Sequence, residues 1–180
     1  MQSATTDIKY KLPPRSALEV FEMLPEGTLA EVIDNTIYMP PAPSFSHQDT
    51  SLDIAVEIRN FIKEEKIGKC VVAPVDVYLD NNNVVQPDIL FISNTNLGII
   101  QDDKIRGIPD LIIEILSSNR KYDLNDKKSL YETFAVKEYF IVDPATKETI
   151  TYYHDGKKYI QQESKTGKIK SKLLKKVFSF

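Results

Sequence analysis

VVQPDILFIS at residues 84–93, IPDLIIEILSS at 108–118 and YDLNDKKSLY at 122–131 decide how this chain is read. The first two are apolar, strand-like runs. Each holds one acid where a buried strand would place another aliphatic: Asp88 in the first, Glu114 in the second. The near-continuous aliphatic run Ile108–Leu116 predicts a strand covered on both faces. The third stretch belongs to a helix expected over Asp123 to about Val136, with Asp123 as N-cap. At about 100° per residue its Leu124, Leu130, Tyr131 and Phe134 cluster on one side. Lys127 lies near the centre of that apolar stripe, whereas Lys128 lies toward its edge.

Strand geometry discriminates among the acids. Asp110, Ile112 and Glu114 share a face. Four residues at about 3.4 Å each put Asp110 roughly 13 Å from Glu114, too far to hold one ion together. A neighbouring strand is only about 5 Å away, so Asp88 is the natural partner of Glu114, and Asp110 takes a structural or supporting role. A further acid, Glu31, interrupts an apolar face between Leu29 and Ile33. Unpaired buried charges are costly, so such a set is expected to be mutually paired or metal-bound. Oxygen ligands without cysteine favour Mg²⁺ or Mn²⁺ over zinc. A lysine facing these acids suits the orientation of a water or the stabilisation of a phosphoryl transition state.

Around this centre the chain of 180 residues reads as one domain, long enough to bury a core. Residues 1–14 form an extended lead-in, and a short helix is expected over Arg15–Leu24. A hairpin follows, Thr28–Ile33 with Thr36–Met39, turned by Asp34-Asn35. Pro40–Ser46 must be a loop, and a helix runs from about His47 to Lys66 with Ile54, Ala55, Ile58, Phe61 and Ile62 on one face. Lys69–Val72 and Val75–Leu79 are strands. Pro87 implies an edge position or a bulge in the strand Val84–Ile92. Asn94–Gly107 reads as a surface connection and Glu138–Val142 as a strand. Thr149–His154 and Lys158–Gln162 read as a hairpin around Asp155-Gly156. The Lys-rich segment 165–180 ends in a last strand or edge piece. The pattern is α/β (α+β), with a central mixed sheet flanked by helices.

A net charge of -3 excludes a globally basic nucleic-acid binder but leaves room for a local basic cleft. Lysines do cluster late (Lys157, Lys158, Lys165, Lys168, Lys170, Lys172, Lys175, Lys176), with Tyr152, Tyr153 and Tyr159 interleaved. The single cysteine, Cys70, excludes an internal disulfide framework and reads as a core residue in a reducing compartment. MQSATTDIKY lacks the pattern of a signal peptide and no apolar run reaches membrane-span length, so a cytoplasmic protein without a membrane partner is expected.

QPDILFI (86–92), IRGIPDLIIEILSS (105–118), DLNDKKSLY (123–131) and VKEYFIVDP (136–144) together resemble the Uma-two-type restriction endonuclease family, a domain of unknown function in the PD-(D/E)XK nuclease superfamily. AEVIDNTIYMPPAPSFSHQ (30–48) is similar to that family's N-terminal signature, and the motifs span roughly residues 15–155. The resemblance implies a restriction-endonuclease-like core. Asp88 matches the motif aspartate, Glu114 the second acid and Glu31 the superfamily's additional glutamate. Leu116 occupies the slot two residues after the second acid where a lysine is usual, and Lys127 matches the displaced lysine on the following helix. Gln86 and Ser117 match family positions, and His47 belongs to a His-Gln pair, where it reads as a helix-start or interface residue. Ser118-Asn119 departs from the family's Pro-Ser, and Asn35 from its turn glycine.

These readings converge on a Mg²⁺-dependent (or Mn²⁺-dependent) endonuclease for DNA. Glu31, Asp88, Glu114 and Lys127 are the expected catalytic residues, with Asp88, Glu114, the backbone carbonyl of Ile115 and an assisting Glu31 as metal ligands. A homodimer is expected, since cutting both strands takes two sites. The rivals are a nuclease-fold binding or assembly protein whose acids form a structural polar core, and a metal-dependent hydrolase of small phosphate esters.

Overall fold

The computed structural model describes residues 13–117 and 122–180, and of Tyr122 and Asp123 only the backbone. The N-cap role expected of Asp123, the loop at Ser118-Asn119 and nearly all of the lead-in lie outside the described residues. In chain order, α1 (Ala17–Phe21) leads into the hairpin β1 (Glu31–Ile33) and β2 (Thr36–Tyr38). Helix α2 (Phe45–Glu65) follows, then β3 (Gly68–Val72), β4 (Val77–Tyr78), β5 (Val84–Val85) and β6 (Ile89–Ser93). A 3₁₀ turn at Asn94–Ile99 precedes β7 (Ile100–Gln101), β8 (Lys104–Arg106) and β9 (Leu111–Ile115). A π-helical turn, Tyr122–Asp126, opens α3 (Lys127–Thr133). The rest is strand: β10 (Glu138–Val142), β11 (Glu148–His154), β12 (Tyr159–Gln161), β13 (Lys165–Thr166), β14 (Lys168–Ser171) and β15 (Lys176–Ser179).

The main sheet runs in the order β12-β11-β10-β9-β6-β3, with β13 also pairing β11. It is mixed, because β9 and β10 are parallel while their other neighbours are antiparallel. As the aliphatic run predicts, β9 is buried on both faces. Leu111, Ile113 and Ile115 pack beneath α2 with Ile54, Ile58 and Ile62, and Ile112 packs on the α3 side with Leu130 and Tyr131. Two expected hairpin turns form as chemistry suggests: Asp34 and Asn35 take φ of 48° and 58°, and Gly156 takes 98°. Cys70 is a core residue, and burial pushes its thiol up to about 11 despite the opposing charge of Arg59.

Several expectations need correction. There are two sheets around the α3-side core, the second in the order β2-β1-β5-β4-β8-β7. The run Val84–Ile92 is therefore not one strand at an edge or with a bulge. It splits into β5 and β6, each interior to a different sheet, and Pro87 stands where the chain crosses between them and no ladder bond is needed. Asn94–Gly107 is more than a surface connection: Asp102-Asp103 turns the hairpin β7–β8 at φ of 49° and 57°, and Ile105 enters the core. Helix α2 begins two residues earlier than expected, with Ser44 as cap. The expected α3 helix is shorter, because its first turn is π-helical.

The C-terminal segment forms its own two-stranded sheet, β14–β15, against α2, with Phe178 edge-on to Phe61 at 5.6 Å. Buried Glu138 ties it down, accepting from the Ser171 hydroxyl and from the backbone N–H groups of Lys172 and Leu173. The interleaved tyrosines serve this architecture. Tyr152 and Tyr159 are buried and each stacks on Tyr139 at 6.0 Å, while Tyr153 underlies the Lys172 ammonium. Among the described residues no helix is long and apolar enough to cross a membrane.

Candidate active site

The site forms where β6 and β9 meet. Their ladder ends at the pair Ile89–Ile113; Asp88 stands just before β6, and the register continued by one step would set it opposite Glu114. Directly opposed residues of antiparallel strands have Cβ atoms about 5 Å apart. Asp88 accepts a 2.7 Å hydrogen bond from the Ile115 N–H at Oδ2, which ties it to the strand that carries Glu114.

Glu31, Glu114 and Lys127 come together in one buried cluster. The Lys127 ammonium lies 3.0 Å from Glu31 Oε1 and 3.0 Å from Glu114 Oε1, and all three side chains are almost wholly buried. The Tyr131 hydroxyl donates to the same Glu114 oxygen at 2.7 Å. Glu31 is held from below by the Gln86 backbone N–H at 2.8 Å, and the Gln86 side chain donates to Asp76 and to the Thr28 carbonyl. Lys128 faces away, 3.8 Å from Glu132 and 5.4 Å above the Tyr152 ring.

Electrostatics follow from this packing. Burial pushes the Glu114 carboxyl up to about 8; Lys127 and the Tyr131 hydroxyl oppose the shift, whereas the nearby charges of Asp88 and Glu31 add to it. Burial and Glu114 also raise Tyr131 well above its ordinary value, so it remains a neutral donor. Asp110 belongs to a separate place: Lys137, the Ser93 N–H and Asn96 all bond it.

Two members were not picked out from sequence. Tyr131 was read only as part of an apolar stripe, yet it lies four residues after Lys127, the spacing at which helix neighbours meet, and a buried phenol needs a partner. The sequence reads His47 as a helix-start or interface residue. Ser44 caps that turn by accepting from the His47 N–H, and the buried imidazole places Nε2 3.2 Å from Asp88 Oδ2. Burial works to lower the His47 pKa; Asp88, with Gln48 and the Ile115 backbone, outweighs it and raises the pKa. No local pattern announces that contact.

The family model described as "Putative restriction endonuclease", Uma2, matches residues 17–175. The chain belongs to the Uma2 family. This Uma2 chain also superposes on a crystal structure from Anabaena variabilis ATCC 29413, described as "a putative nuclease belonging to DUF820". The TM-score is 0.67 at 17% identity, covering 84% of this chain and 83% of that one. At that identity the likeness shows the fold. No curated protein matches the chain. Uma2 membership and the shared fold together support a nuclease.

Proposed function

We propose that this chain is an endonuclease that hydrolyses phosphodiester bonds in DNA with Mg²⁺ or Mn²⁺ as cofactor. The observation that carries the reading is the buried convergence of Glu31, Glu114 and Lys127 at the strand pair that also holds Asp88. Among the described residues no group of three or more His, Cys, Asp or Glu side chains is placed to hold a metal ion. Mg²⁺ does not need one, since it typically takes one or two carboxylates and keeps several waters. Two carboxylates on adjacent strands fit that demand. Asp88, Glu114 and the backbone carbonyl of Ile115 would hold the ion, with Glu31 assisting through Lys127. Bound there, a divalent ion supplies an activated water and offsets charge on a phosphoryl oxygen.

The side chains do the rest. Lys127, fixed between two carboxylates, presents a preorganised positive charge to the phosphate and to the attacking water. Tyr131 anchors one Glu114 oxygen and so fixes the rotation of that carboxylate. Gln86 holds Glu31, and Glu31 in turn holds Lys127. Cleavage of both DNA strands with one site per chain would take two copies, so we infer a homodimer on substrate, which sedimentation with and without DNA would test.

One observation favours a second reading, a nuclease-fold binding protein: Lys127 satisfies Glu31 and Glu114 without any ion. Incubation of plasmid and oligonucleotide DNA with Mg²⁺ or Mn²⁺ separates the two. The nuclease reading expects cleavage that is lost in Glu114→Gln and Lys127→Met. Cleavage unchanged in both variants sinks it, and variants that alter only thermal stability support the structural cluster.

A further inference from the structure

We infer that the outward face of α2 is a dimer interface, on which a second copy of this chain lays its own α2 antiparallel. This gives the homodimer inferred above a surface. It needs no cleavage to hold, so it stands or falls separately from the nuclease reading.

Exposed apolar side chains mark the face. Helix α2 buries Ile54, Ile58 and Ile62 against the main sheet. A surface helix of this kind turns a polar face to water. Yet Phe45 is 85% exposed, Leu52 63% and Val56 46%. At about 100° per residue these three fall within about 40° of one another, centred opposite Ile54. Apolar residues scattered singly over a surface are ordinary, whereas a contiguous stripe marks a site of contact.

Charge selects the occupant. Read from its N-terminus, the stripe runs Phe45, Asp49, Leu52, Val56, Arg59, Lys63. A two-fold axis level with Ile54 brings Leu52 of one copy to Val56 of the other. The same axis brings Asp49 to Arg59 and Phe45 to the aliphatic stem of Lys63, each contact occurring twice. Every position then meets a complement, whereas a parallel pair would set Asp49 on Asp49 and Arg59 on Arg59. Among the described residues neither Asp49 nor Arg59 has an ion-pair partner in its own chain. The Arg59 guanidinium donates to the Cys70 carbonyl at 2.8 Å, which anchors it and leaves further N–H groups for a carboxylate.

Other occupants fit less well. The exposed positions of α2 also include Asp53, Glu57, Glu64 and Glu65, which repel a nucleic acid or an anionic membrane. Helices that lie on such surfaces carry lysine and arginine on the polar face. Pairing through α2 also keeps the cluster of Glu31, Glu114 and Lys127 on the far side of the sheet, with α3.

Sedimentation equilibrium of the full chain without DNA tests the inference. One helix pair is small beside the roughly 800 Å² per partner of a standard interface, so the dimer should form at about micromolar concentration. Leu52→Arg, at an exposed position and with its fold checked by circular dichroism, should weaken it roughly tenfold or more. Asp49→Arg and Arg59→Asp should each weaken it similarly, because each sets like charges face to face. Mixing those two variants restores both opposite-charge contacts, so the mixture should dimerise more tightly than either variant alone. A wild type that stays monomeric up to about 200 µM, well above the range set by that interface size, overturns the inference, even if the stripe binds some other macromolecule. So does a dimer indifferent to Leu52→Arg, or a mixture no tighter than its components. None of these outcomes touches the nuclease reading, which the cleavage assay decides.

Discussion

Asp110 and Glu114 share a face of β9, both are buried, and both are paired with a lysine, yet they sit in opposite electrostatic situations. Asp110 is oversupplied with donors: Lys137, the Ser93 N–H at 2.8 Å and Asn96 at 3.1 Å all point at one carboxylate. Burial works to raise its pKa, and Lys137 with Ser93 and Asn96 outweighs burial and holds the carboxyl below its usual range. Glu114 is undersupplied. Its lysine is shared with Glu31, Asp88 adds like charge, and the carboxyl is pushed up to about 8. An acid whose donors exceed its charge serves the fold. An acid buried beside like charges and sharing its lysine is held toward its neutral form.

Removing the shared lysine should break the comparison most severely. Lys127→Met leaves buried Glu31 without its counter-charge and Glu114 without one of its donors, and breaking a buried pair in this way typically costs about 3–5 kcal/mol. Denaturant unfolding at neutral pH measures it. A midpoint matching the wild type would mean that Lys127 does not balance these acids.

Glu114→Gln tests the other side of the imbalance. A carboxyl with its folded pKa raised from 4.5 to about 8 keeps a proton that the unfolded chain releases. Stability must then fall as pH rises from the ordinary carboxyl value toward 8, because the native state binds more protons in that window. The glutamine variant should lose this decline, so its melting temperature should gain on the wild type as pH approaches 8. Cleavage should drop about 100- to 1,000-fold, the scale of losing a positioned electrostatic group. Parallel stability–pH curves for the two proteins would contradict the raised pKa.

At Asp110 the sign reverses. A folded pKa held below the ordinary 3.8 contributes stability that is present above that value and lost as pH falls through the folded pKa. Asp110→Asn should cost about 1.5–3 kcal/mol at neutral pH. Its penalty should shrink in acid, and cleavage should be unaffected. An activity loss beyond what destabilisation explains would place Asp110 in the site after all.

What could be read in advance follows the same divide. Asp88, Glu114 and Lys127 stand out because each breaks an apolar run, and the two-sided burial of β9 is legible from its aliphatics. Glu138 is as buried as Glu31 but begins its strand, so no periodicity betrays it. His47 and the second sheet depend on which segments meet across long sequence separations. Val84-Val85 and Ile89–Ser93 look continuous because both are apolar, and only the meeting of β5 with β1 and β4 shows that they part at Pro87. The turn at Asp102-Asp103 was within reach, since it uses the same tolerance of positive φ as Asp34-Asn35.

Lys137 supplies the smallest and most discriminating test. It pairs with Asp110 as closely as Lys127 pairs with Glu114, but its side chain is 61% exposed where that of Lys127 is 7%. Removing an exposed partner leaves water free to replace it, and Asp110 retains the Ser93 and Asn96 bonds. Lys137→Ala should therefore cost about 0–1 kcal/mol, with salt reducing the difference further. If thermal unfolding shows a loss as large as that of Lys127→Met, burial of the cation is not what separates the two ends of β9. The contrast would then have to rest on acid count alone, and Glu31→Gln should reproduce at Glu114 the calm environment of Asp110.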